Sequence, residues 1–275
     1  MCRLLGYLGP TIQLDKILYK PEHSLIIQSY QPKHMNVATH NSDGFGLGWY
    51  HSQQEVFPYT YKNTIPIWHD INLPEISRYV ESPCILGYVR SATSGLTVDF
   101  SNCQPFNYEN WLFFHNGFIK DFRDTLYLSI RKSLNDIPYQ WIKGNTDSEH
   151  IFALLLQELA LNPHLSMIQA LEQVILKLTQ WVEPLQTRLA LNVMMSNGKQ
   201  IIASRYAKNA YFPSLYWLRD DPNFPDAVII ASEPLFEGNW NEFPENCLIS
   251  VGEDLEVNIY PIRGKIDSRN SPAVS

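Results

Sequence analysis

The sequence predicts an α+β fold. Short apolar runs typical of strands occupy the first half, two strong helical patterns follow, and the last third returns to strands. Because the helices are grouped and do not alternate with single strands, this order favours an α+β or layered α/β domain over a parallel βαβ series. We find no internal repeat and no low-complexity tract.

Each predicted element follows from its local pattern. Leu4, Leu5, Tyr7 and Leu8 indicate a strand that begins almost at once, so the N-terminus is expected to be held in a sheet. Helical patterns cover 24–30, 121–134, the residues after Thr146-Asp147-Ser148-Glu149, and 166–181. Predicted strands cover 83–90, 111–114, 188–196, 199–205, 214–218, 227–232, 246–251 and 255–260. Asn197-Gly198 between two of these strands is a hairpin signal.

Composition argues against several classes of function. The formal net charge is −7, and there is no basic run, which argues against a nucleic-acid partner. No apolar run approaches the length of a membrane span, and the N-terminus does not resemble a signal peptide. The cysteines, at positions 2, 84, 103 and 247, match no zinc or disulfide framework, and His34 and His40 lack ligand spacing. We therefore expect a cytoplasmic protein without a metal or cofactor.

Cys2 offers an unusual combination of chemical groups once Met1 is removed. A residue as small as cysteine at position 2 favours trimming of the initiator methionine, which leaves a thiol and a free α-amine on one residue. Ordinary pKa values of about 7.8 for an α-amine and about 8.5 for a thiol put the cost of moving the thiol proton to the amine at about 1 kcal/mol. Nucleophile and general base would then share one residue. The alternative is an ordinary small buried thiol.

Three further stretches carry candidate site residues, and each also has a purely structural interpretation. Arg90 could be a salt-bridged strand end. Asn116-Gly117 between apolar runs is also a common type I′ hairpin turn. Asp147 lies in a capping-box pattern, Thr146-x-x-Glu149, and could serve only to favour the start of a helix.

Taken together, these residues match the functional groups of a γ-glutamyl amide. Arg90 can bind the α-carboxylate through two parallel hydrogen bonds, and Asp147 can pair with the α-ammonium. The γ-carbonyl is the electrophile for Cys2. The oxyanion that forms on attack needs preorganised donors, for which the Asn116 side-chain amide and the Gly117 backbone N–H are suitable.

Five segments occur in the order and approximate spacing of a known family: Met1-Cys2, Arg90-Ser91-Ala92-Thr93, Asn102-x-x-Pro105, His115-Asn116-Gly117 and Thr146-Asp147-x-Glu149. In these segments the chain resembles the class II glutamine amidotransferase domain of the N-terminal-nucleophile hydrolase superfamily. The resemblance implies a four-layer αββα sandwich of two antiparallel sheets between helices. It also implies the residue roles given above, with Thr93 assisting at the carboxylate.

A closer likeness is to the stand-alone branch of this family, which includes the ergothioneine-pathway γ-glutamyl amidohydrolases. The shared segments are Cys2-Arg3-Leu4-Leu5-Gly6-Tyr7, Ser24-Leu25 with Gln28-Ser29, Asp43-Gly44-Phe45-Gly46 with Gly48-Trp49-Tyr50, and Ala231-Ser232-Glu233-Pro234-Leu235. The likeness implies one domain over 1–262. A polar, flexible tail is expected over 263–275.

Some positions depart from the larger amidotransferases. Ser91 and Ser94 stand where a tryptophan and a histidine are usual, and Gln104 replaces the histidine of Asn-x-His-Pro. We expect these changes to reshape the pocket wall and to weaken the case for free glutamine as substrate. We also expect them to leave the nucleophile, oxyanion donors and clamps untouched.

The functional hypothesis is hydrolysis of a γ-glutamyl amide bond through a Cys2 thioester, on a γ-glutamylated sulfur metabolite. One alternative is a glutaminase subunit that supplies ammonia to a separate synthase. Another is a non-catalytic binding module, which would follow if Met1 is retained. A third possibility within the site is His115 acting as base for an internal thiol such as Cys103, which we favour less. Whether the partner is a second copy of the chain or a synthase stays open.

Overall fold

The chain folds into two antiparallel β-sheets with helices on both outer faces. The computed structural model describes residues 2–34, 40–51, 57–92 and 99–263. Within these ranges the strands are β1 Arg3–Gln13, β2 Phe45–Tyr50, β3 Tyr59–Asn63, β4 Glu81–Val89, β5 Phe106–Tyr108, β6 Trp111–Ile119, β7 Leu189–Ser196, β8 Ile201–Lys208, β9 Tyr216–Asp221, β10 Phe224–Ala231, β11 Asn241–Glu242, β12 Cys247–Val251 and β13 Val257–Pro261. The α-helices are α1 Leu14–Leu18, α2 Leu25–Tyr30, α3 Leu73–Tyr79, α4 Phe122–Thr125, α5 Tyr127–Ser133, α6 Asp136–Trp141, α7 Asp147–Leu161 and α8 Met167–Val182.

The strand order brings the N-terminal strand to the middle of its sheet. The first sheet runs β11-β9-β10-β1-β4-β2-β3, and the second runs β13-β12-β8-β7-β6-β5. β1 pairs antiparallel with both β10 and β4, and Arg3 lies opposite Val89. The N-terminus is therefore held in a sheet, as the early apolar run predicted, and the chain enters that sheet beside the end of β4.

Side-chain alternation along the strands divides the interior into three apolar layers. Leu4 and Leu8 of β1 pack with Phe114 of β6 between the two sheets. Leu5 and Tyr7, which point to the other face of β1, pack under α1 and α2. The outer face of the second sheet packs against α7 and α8. Both faces of the central strands are buried, so burying each such leucine stabilises the fold by about 2 kcal/mol. The order of the layers is helix, sheet, sheet, helix.

The predicted α+β class and the four-layer αββα sandwich are confirmed. The hairpin at Asn197-Gly198 joins β7 to β8. The predicted helix 121–134 is divided into α4 and α5 at Leu126. The turn interpretation of Asn116-Gly117 is wrong, because both residues lie inside β6 and pair with β7. Residues 264–275 of the predicted tail lie outside the described residues.

In the ranges given above, no helix combines the length and apolar character needed to cross a bilayer.

Candidate active site

Cys2 lies at the start of β1, with its thiol in a set of hydrogen bonds. The Tyr88 hydroxyl donates to Sγ at 2.8 Å, and the Ser91 backbone N–H donates to it at 3.4 Å. The thiol also reaches the Ser91 carbonyl at 3.6 Å. Cys2 is partly exposed, and it packs against the apolar layer between the sheets. The sulfur is therefore accessible while being held by groups at the end of β4.

A buried ion pair fixes the backbone behind the thiol. Arg3 is fully buried; its Nη1 donates to the Cys2 carbonyl at 3.0 Å, and its Nε lies 3.1 Å from Glu233 Oε1. The other Glu233 oxygen, Oε2, lies 2.7 Å from His23 Nε2. The backbone N–H groups of residues 33 and 34 complete the shell around this carboxylate.

The charge state of Glu233 follows from this shell. Burial alone would raise its pKa, but the hydrogen bonds from His23 and the backbone, together with the Arg3 charge, outweigh burial and lower the pKa to about 2. Glu233 is therefore ionised at neutral pH, and it holds Arg3 and the first strand in place.

Arg90 follows the last residue of β4 and is buried. Its backbone N–H donates to the Gly44 carbonyl at 2.8 Å, and its own carbonyl accepts from the Asp43 N–H at 3.1 Å. In the described part of the chain, the guanidinium makes one hydrogen bond, a long one of 3.4 Å to the Asp43 carbonyl. Thr93, the predicted helper at the carboxylate, lies outside the described residues.

Asn116 lies in β6 on the same face as Phe114, so its side chain is directed between the two sheets. It is fully buried, and neither its Nδ2 nor its Oδ1 has a hydrogen-bond partner among the described residues. Asn192, directly opposite on β7, instead donates its amide to the Pro213 carbonyl at 3.0 Å. A buried amide without a partner is costly by about 1–3 kcal/mol. Such groups in a native fold call for an explanation, and an oxyanion donor is one.

Gly117 is required by a close contact between β6 and β7. A Cβ at this position would lie 1.9 Å from the Ala190 carbonyl oxygen and 2.4 Å from His115 Nε2. The missing side chain lets His115 Nε2 bond the Ala190 carbonyl at 3.0 Å, while Nδ1 bonds the Ser148 hydroxyl at 2.9 Å. Burial lowers the pKa of His115. Its neutral ring therefore ties β6 to β7 and to α7.

Asp147 is the first residue of α7, and its carboxylate joins this helix to β6. Oδ2 accepts from the Ile119 N–H at 2.8 Å, and Oδ1 accepts from the Ser148 N–H at 2.8 Å. The contact with Ile119 brings Asp147 to the strand that carries Asn116 and Gly117.

The predicted capping box is half present. Thr146 is the N-cap, and its side chain accepts from the Glu149 N–H at 3.3 Å. The Glu149 carboxylate, however, accepts from the N–H groups of Lys143 and Gly144 at 3.1 and 2.8 Å. Glu149 therefore fixes the loop before the helix in place of closing the box.

Gln104 connects Tyr88, which bonds the Cys2 thiol, to β6, a contact that the sequence analysis missed. Its Oε1 accepts from the His115 N–H at 2.6 Å, and its Nε2 donates to the His115 carbonyl at 3.1 Å and to the Tyr88 hydroxyl at 3.2 Å. The departure at Gln104 therefore lies among groups that adjoin the predicted site residues. Gln104 bonds the backbone of His115, the residue before Asn116, and it bonds Tyr88, whose hydroxyl contacts the Cys2 sulfur.

Tyr88 was also missed, although a signal for it was present. It lies two positions before Arg90, and side chains two apart on a strand share a face. A polar tip on that face, beside a proposed nucleophile, could have been proposed as a contact.

The alternative pairing of His115 with Cys103 is not formed. Both nitrogens of the His115 ring are used by Ser148 and Ala190, and the Cys103 thiol bonds the carbonyls of Asn63 and Asp99. Across the described ranges, no group of three His, Cys, Asp or Glu side chains is arranged to hold a metal ion.

Two antiparallel sheets lie between helices, and Cys2 leads into the central strand of the first sheet. The sequence profile of the class II glutamine amidotransferases matches residues 1–229. The chain belongs to this family, which confirms the resemblance and the prediction that the protein is an enzyme of this kind.

Relatives cover nearly the whole chain. It is 29% identical to the probable glutamine amidotransferase DUG3 of Saccharomyces cerevisiae, over 95% of this chain and 84% of that protein. It is 27% identical to a gamma-glutamyl-hercynylcysteine sulfoxide hydrolase of Mycobacterium tuberculosis, over 91% of this chain and 93% of the relative.

Solved structures agree with the fold. A structure described as a glutamine aminotransferase class-II domain protein from Silicibacter pomeroyi superposes with a TM-score of 0.69 at 25% identity, over 95% of this chain and 99% of that one. The glutamine phosphoribosylpyrophosphate amidotransferase of Bacillus subtilis superposes with a TM-score of 0.65 at 14% identity, over 96% of this chain and 50% of that one. At that identity the second likeness is one of fold alone.

Proposed function

We propose that the protein hydrolyses the γ-glutamyl amide bond of a small metabolite, with Cys2 as the nucleophile. The observation that carries the proposal is the position of the Cys2 thiol. It is partly exposed directly before a central strand and is bonded by Tyr88 and by Ser91, the residue that follows the buried Arg90. Membership of an amidotransferase family and the names of two relatives support the same reaction class.

The first half-reaction forms a thioester. After removal of Met1, the free α-amine of Cys2 takes the thiol proton, and Sγ attacks the γ-carbonyl carbon. The C=O electron pair moves to oxygen, which accepts hydrogen bonds from the Asn116 amide and the Gly117 N–H. The oxyanion collapses, the C–N bond breaks, and the α-ammonium returns its proton to the departing amine.

The second half-reaction restores the enzyme. The α-amine removes a proton from water, the hydroxide oxygen attacks the thioester carbon, and the same two donors hold the oxyanion. Collapse breaks the C–S bond and releases glutamate, and the proton on the amine passes back to sulfur. The chain supplies the nucleophile, the base and the oxyanion donors, and no atom changes oxidation state in the hydrolysis.

The glutamate head group determines the other roles. Arg90 suits a carboxylate, because a guanidinium offers two parallel hydrogen bonds and, within the described residues, this one makes only a long bond to the Asp43 carbonyl. Asp147 suits the α-ammonium; Oδ1 accepts from both the Ser148 N–H and the Ser148 hydroxyl, while Oδ2 accepts from the Ile119 N–H and can accept one bond more. Thr93 is proposed to assist Arg90 at the carboxylate.

The finer substrate proposal is a γ-glutamylated sulfur metabolite. The support is the 27% identity to gamma-glutamyl-hercynylcysteine sulfoxide hydrolases from two mycobacterial species. Gln104, at a position where larger family members carry histidine, distinguishes the site from theirs.

The deciding experiment offers wild type and Cys2→Ala a panel of γ-glutamyl compounds and measures released glutamate. We expect turnover of at least one compound by wild type, none by Cys2→Ala, and normal turnover by Cys84→Ala, a matched change of a buried thiol in the same core. Intact mass spectrometry should show the loss of one methionine. Turnover by Cys2→Ala, or a retained Met1 in an active preparation, would contradict the mechanism.

A second candidate function is a glutaminase that supplies ammonia to a separate synthase. The 29% identity to DUG3, named as a probable glutamine amidotransferase, favours keeping it. Glutamine hydrolysis that becomes strong only with a partner protein would support this candidate over the first.

A further inference from the structure

We propose that the Tyr88 hydroxyl is a catalytic hydrogen-bond donor to the Cys2 sulfur and that Gln104 is the positioning residue that aims it. The inference deepens the proposed function, because it assigns a new residue to the same site. It starts from the 2.8 Å contact between Tyr88 Oη and Cys2 Sγ.

The orientation of Gln104 is fixed by its neighbours. The His115 N–H must donate to an acceptor, so the atom 2.6 Å from it is the Gln104 oxygen. The Gln104 nitrogen is then the atom that faces the His115 carbonyl and the Tyr88 hydroxyl, at 3.1 and 3.2 Å. Gln104 therefore donates to Tyr88 Oη and cannot accept from it.

This orientation decides where the tyrosine proton goes. A phenol has one proton to donate, and with Gln104 acting as a donor that proton is directed at Cys2 Sγ. Burial and the nearby Cys2 charge raise the pKa of Tyr88 well above its ordinary value, so the hydroxyl keeps its proton. A retained O–H directed at sulfur stabilises the thiolate that forms when the thiol proton moves to the amine. Tyr88 thus acts without losing its own proton.

The same arrangement links the two halves of the site. Gln104 contacts both backbone groups of His115, which precedes the oxyanion residue Asn116. Gly46 of β2 allows this geometry, because a Cβ there would lie 1.9 Å from the Gln104 carbonyl oxygen. One series of hydrogen bonds, from Cys2 through Tyr88 and Gln104 to the backbone of His115, therefore positions both the sulfur and the strand that carries Asn116.

The test uses Tyr88→Phe and Gln104→Glu, with Tyr50→Phe as the matched control. Tyr50 is a buried tyrosine of the same core whose hydroxyl oxygen lies 2.9 and 2.8 Å from the backbone carbonyl oxygens of Asn110 and Ser196, either of which can take its one proton. We expect Tyr88→Phe to lower kcat by roughly tenfold or more with KM unchanged, because a hydrogen bond to a charged atom is lost. Gln104→Glu should lower kcat similarly, because the new carboxylate competes for the tyrosine proton, and the double variant should be no worse than the worse single one. The probe substrate is γ-glutamyl-p-nitroanilide, with circular dichroism to establish folding.

A second measurement does not depend on turnover. Iodoacetamide alkylation of Cys2 at pH 7, followed by intact mass, should be about threefold slower in Tyr88→Phe for each tenfold loss of thiolate. Tyr50→Phe should match wild type in both assays. Wild-type kcat and alkylation rate in Tyr88→Phe, an effect on KM alone, or an equal loss in Tyr50→Phe would overturn the proposal. If wild type hydrolyses no γ-glutamyl compound but the alkylation difference persists, the proposed function fails and the role of Tyr88 stands.

Discussion

Two cysteine and tyrosine pairs lie in the layer between the sheets, at opposite ends of β4. At one end, the thiol of Cys84 is fully buried and lies 3.3 Å from the Ser196 hydroxyl, and burial raises its pKa to about 12. The nearby Tyr50 hydroxyl lies within hydrogen-bond distance of two backbone carbonyls. Every polar group here is paired with structural neighbours, so this end holds the sheets together.

At the other end, the thiol of Cys2 is partly exposed, and Tyr88 donates to it directly. Here β1 begins and β4 ends, so backbone N–H groups such as that of Ser91 are free of the strand ladder and can face the sulfur. The comparison teaches that the same residue types are structural where strands continue and become available for chemistry where strands end. The following predictions test this difference.

The largest expected effect is that of Cys2→Ala. Loss of a nucleophile should lower turnover on the order of 10⁴- to 10⁶-fold, while the melting temperature should change little because the side chain is only partly buried. Cys84→Ala should show the reverse, with a lower melting temperature and retained kcat. Steady-state kinetics measure the change in kcat, and thermal melting measures the change in stability. A Cys84→Ala variant that is stable but inactive would contradict the distinction between the two ends.

Asn116→Ala should have the next largest effect. Removing one oxyanion donor typically costs about 10²- to 10³-fold in kcat, and no partner among the described residues would be left unpaired. Asn192→Ala is the matched control on the adjacent strand; it breaks the bond to the Pro213 carbonyl and should reduce stability more than kcat. Equal losses of kcat in the two variants would mean that Asn116 has no special role.

Much of the fold was predictable because strands and helices repeat simple apolar patterns. The run from Leu4 to Leu8 predicted a strand at the N-terminus, and β1 begins at Arg3. Asn116-Gly117 shows the limit of local rules. Its turn signal is overridden because Gly117 permits the close contact with the Ala190 carbonyl inside a sheet.

The site was predictable only in part, for a physical reason. Cys2, Arg90 and Asp147 carry groups whose chemistry is visible in the sequence. Gln104 and Tyr88 act through contacts between distant segments, and Gln104 matters because β6 brings the His115 backbone to it. The role of Glu233 likewise depends on tertiary folding, because Glu233 is far from Arg3 in the sequence. The fold places its Oε1 3.1 Å from Arg3 Nε.

Glu233→Gln tests how the Cys2 end is held from behind. Because the folded pKa of about 2 lies below the ordinary 4.5, the stabilisation is complete above pH 4.5 and is lost as pH falls toward 2. The shift corresponds to at most about 3 kcal/mol. Urea unfolding between pH 6 and pH 3 should therefore show a shallower loss of stability in Glu233→Gln than in wild type. Glu256→Gln, which removes an exposed carboxylate paired with Arg219, should leave the slope nearly unchanged.

Arg90→Lys is expected to give the smallest change and separates binding from chemistry. An ammonium cannot reproduce the two parallel hydrogen bonds of a guanidinium, so KM should rise roughly 10- to 100-fold while kcat falls less. The matched control is Arg205→Lys, because Arg205 is also buried but donates to Glu242 and to the Pro213 and Phe243 carbonyls. That variant should lose thermal stability and keep its KM. An unchanged KM in Arg90→Lys would mean that the substrate carboxylate does not bind at the end of β4. It would also contradict the view that this end of the core is the one open to substrate.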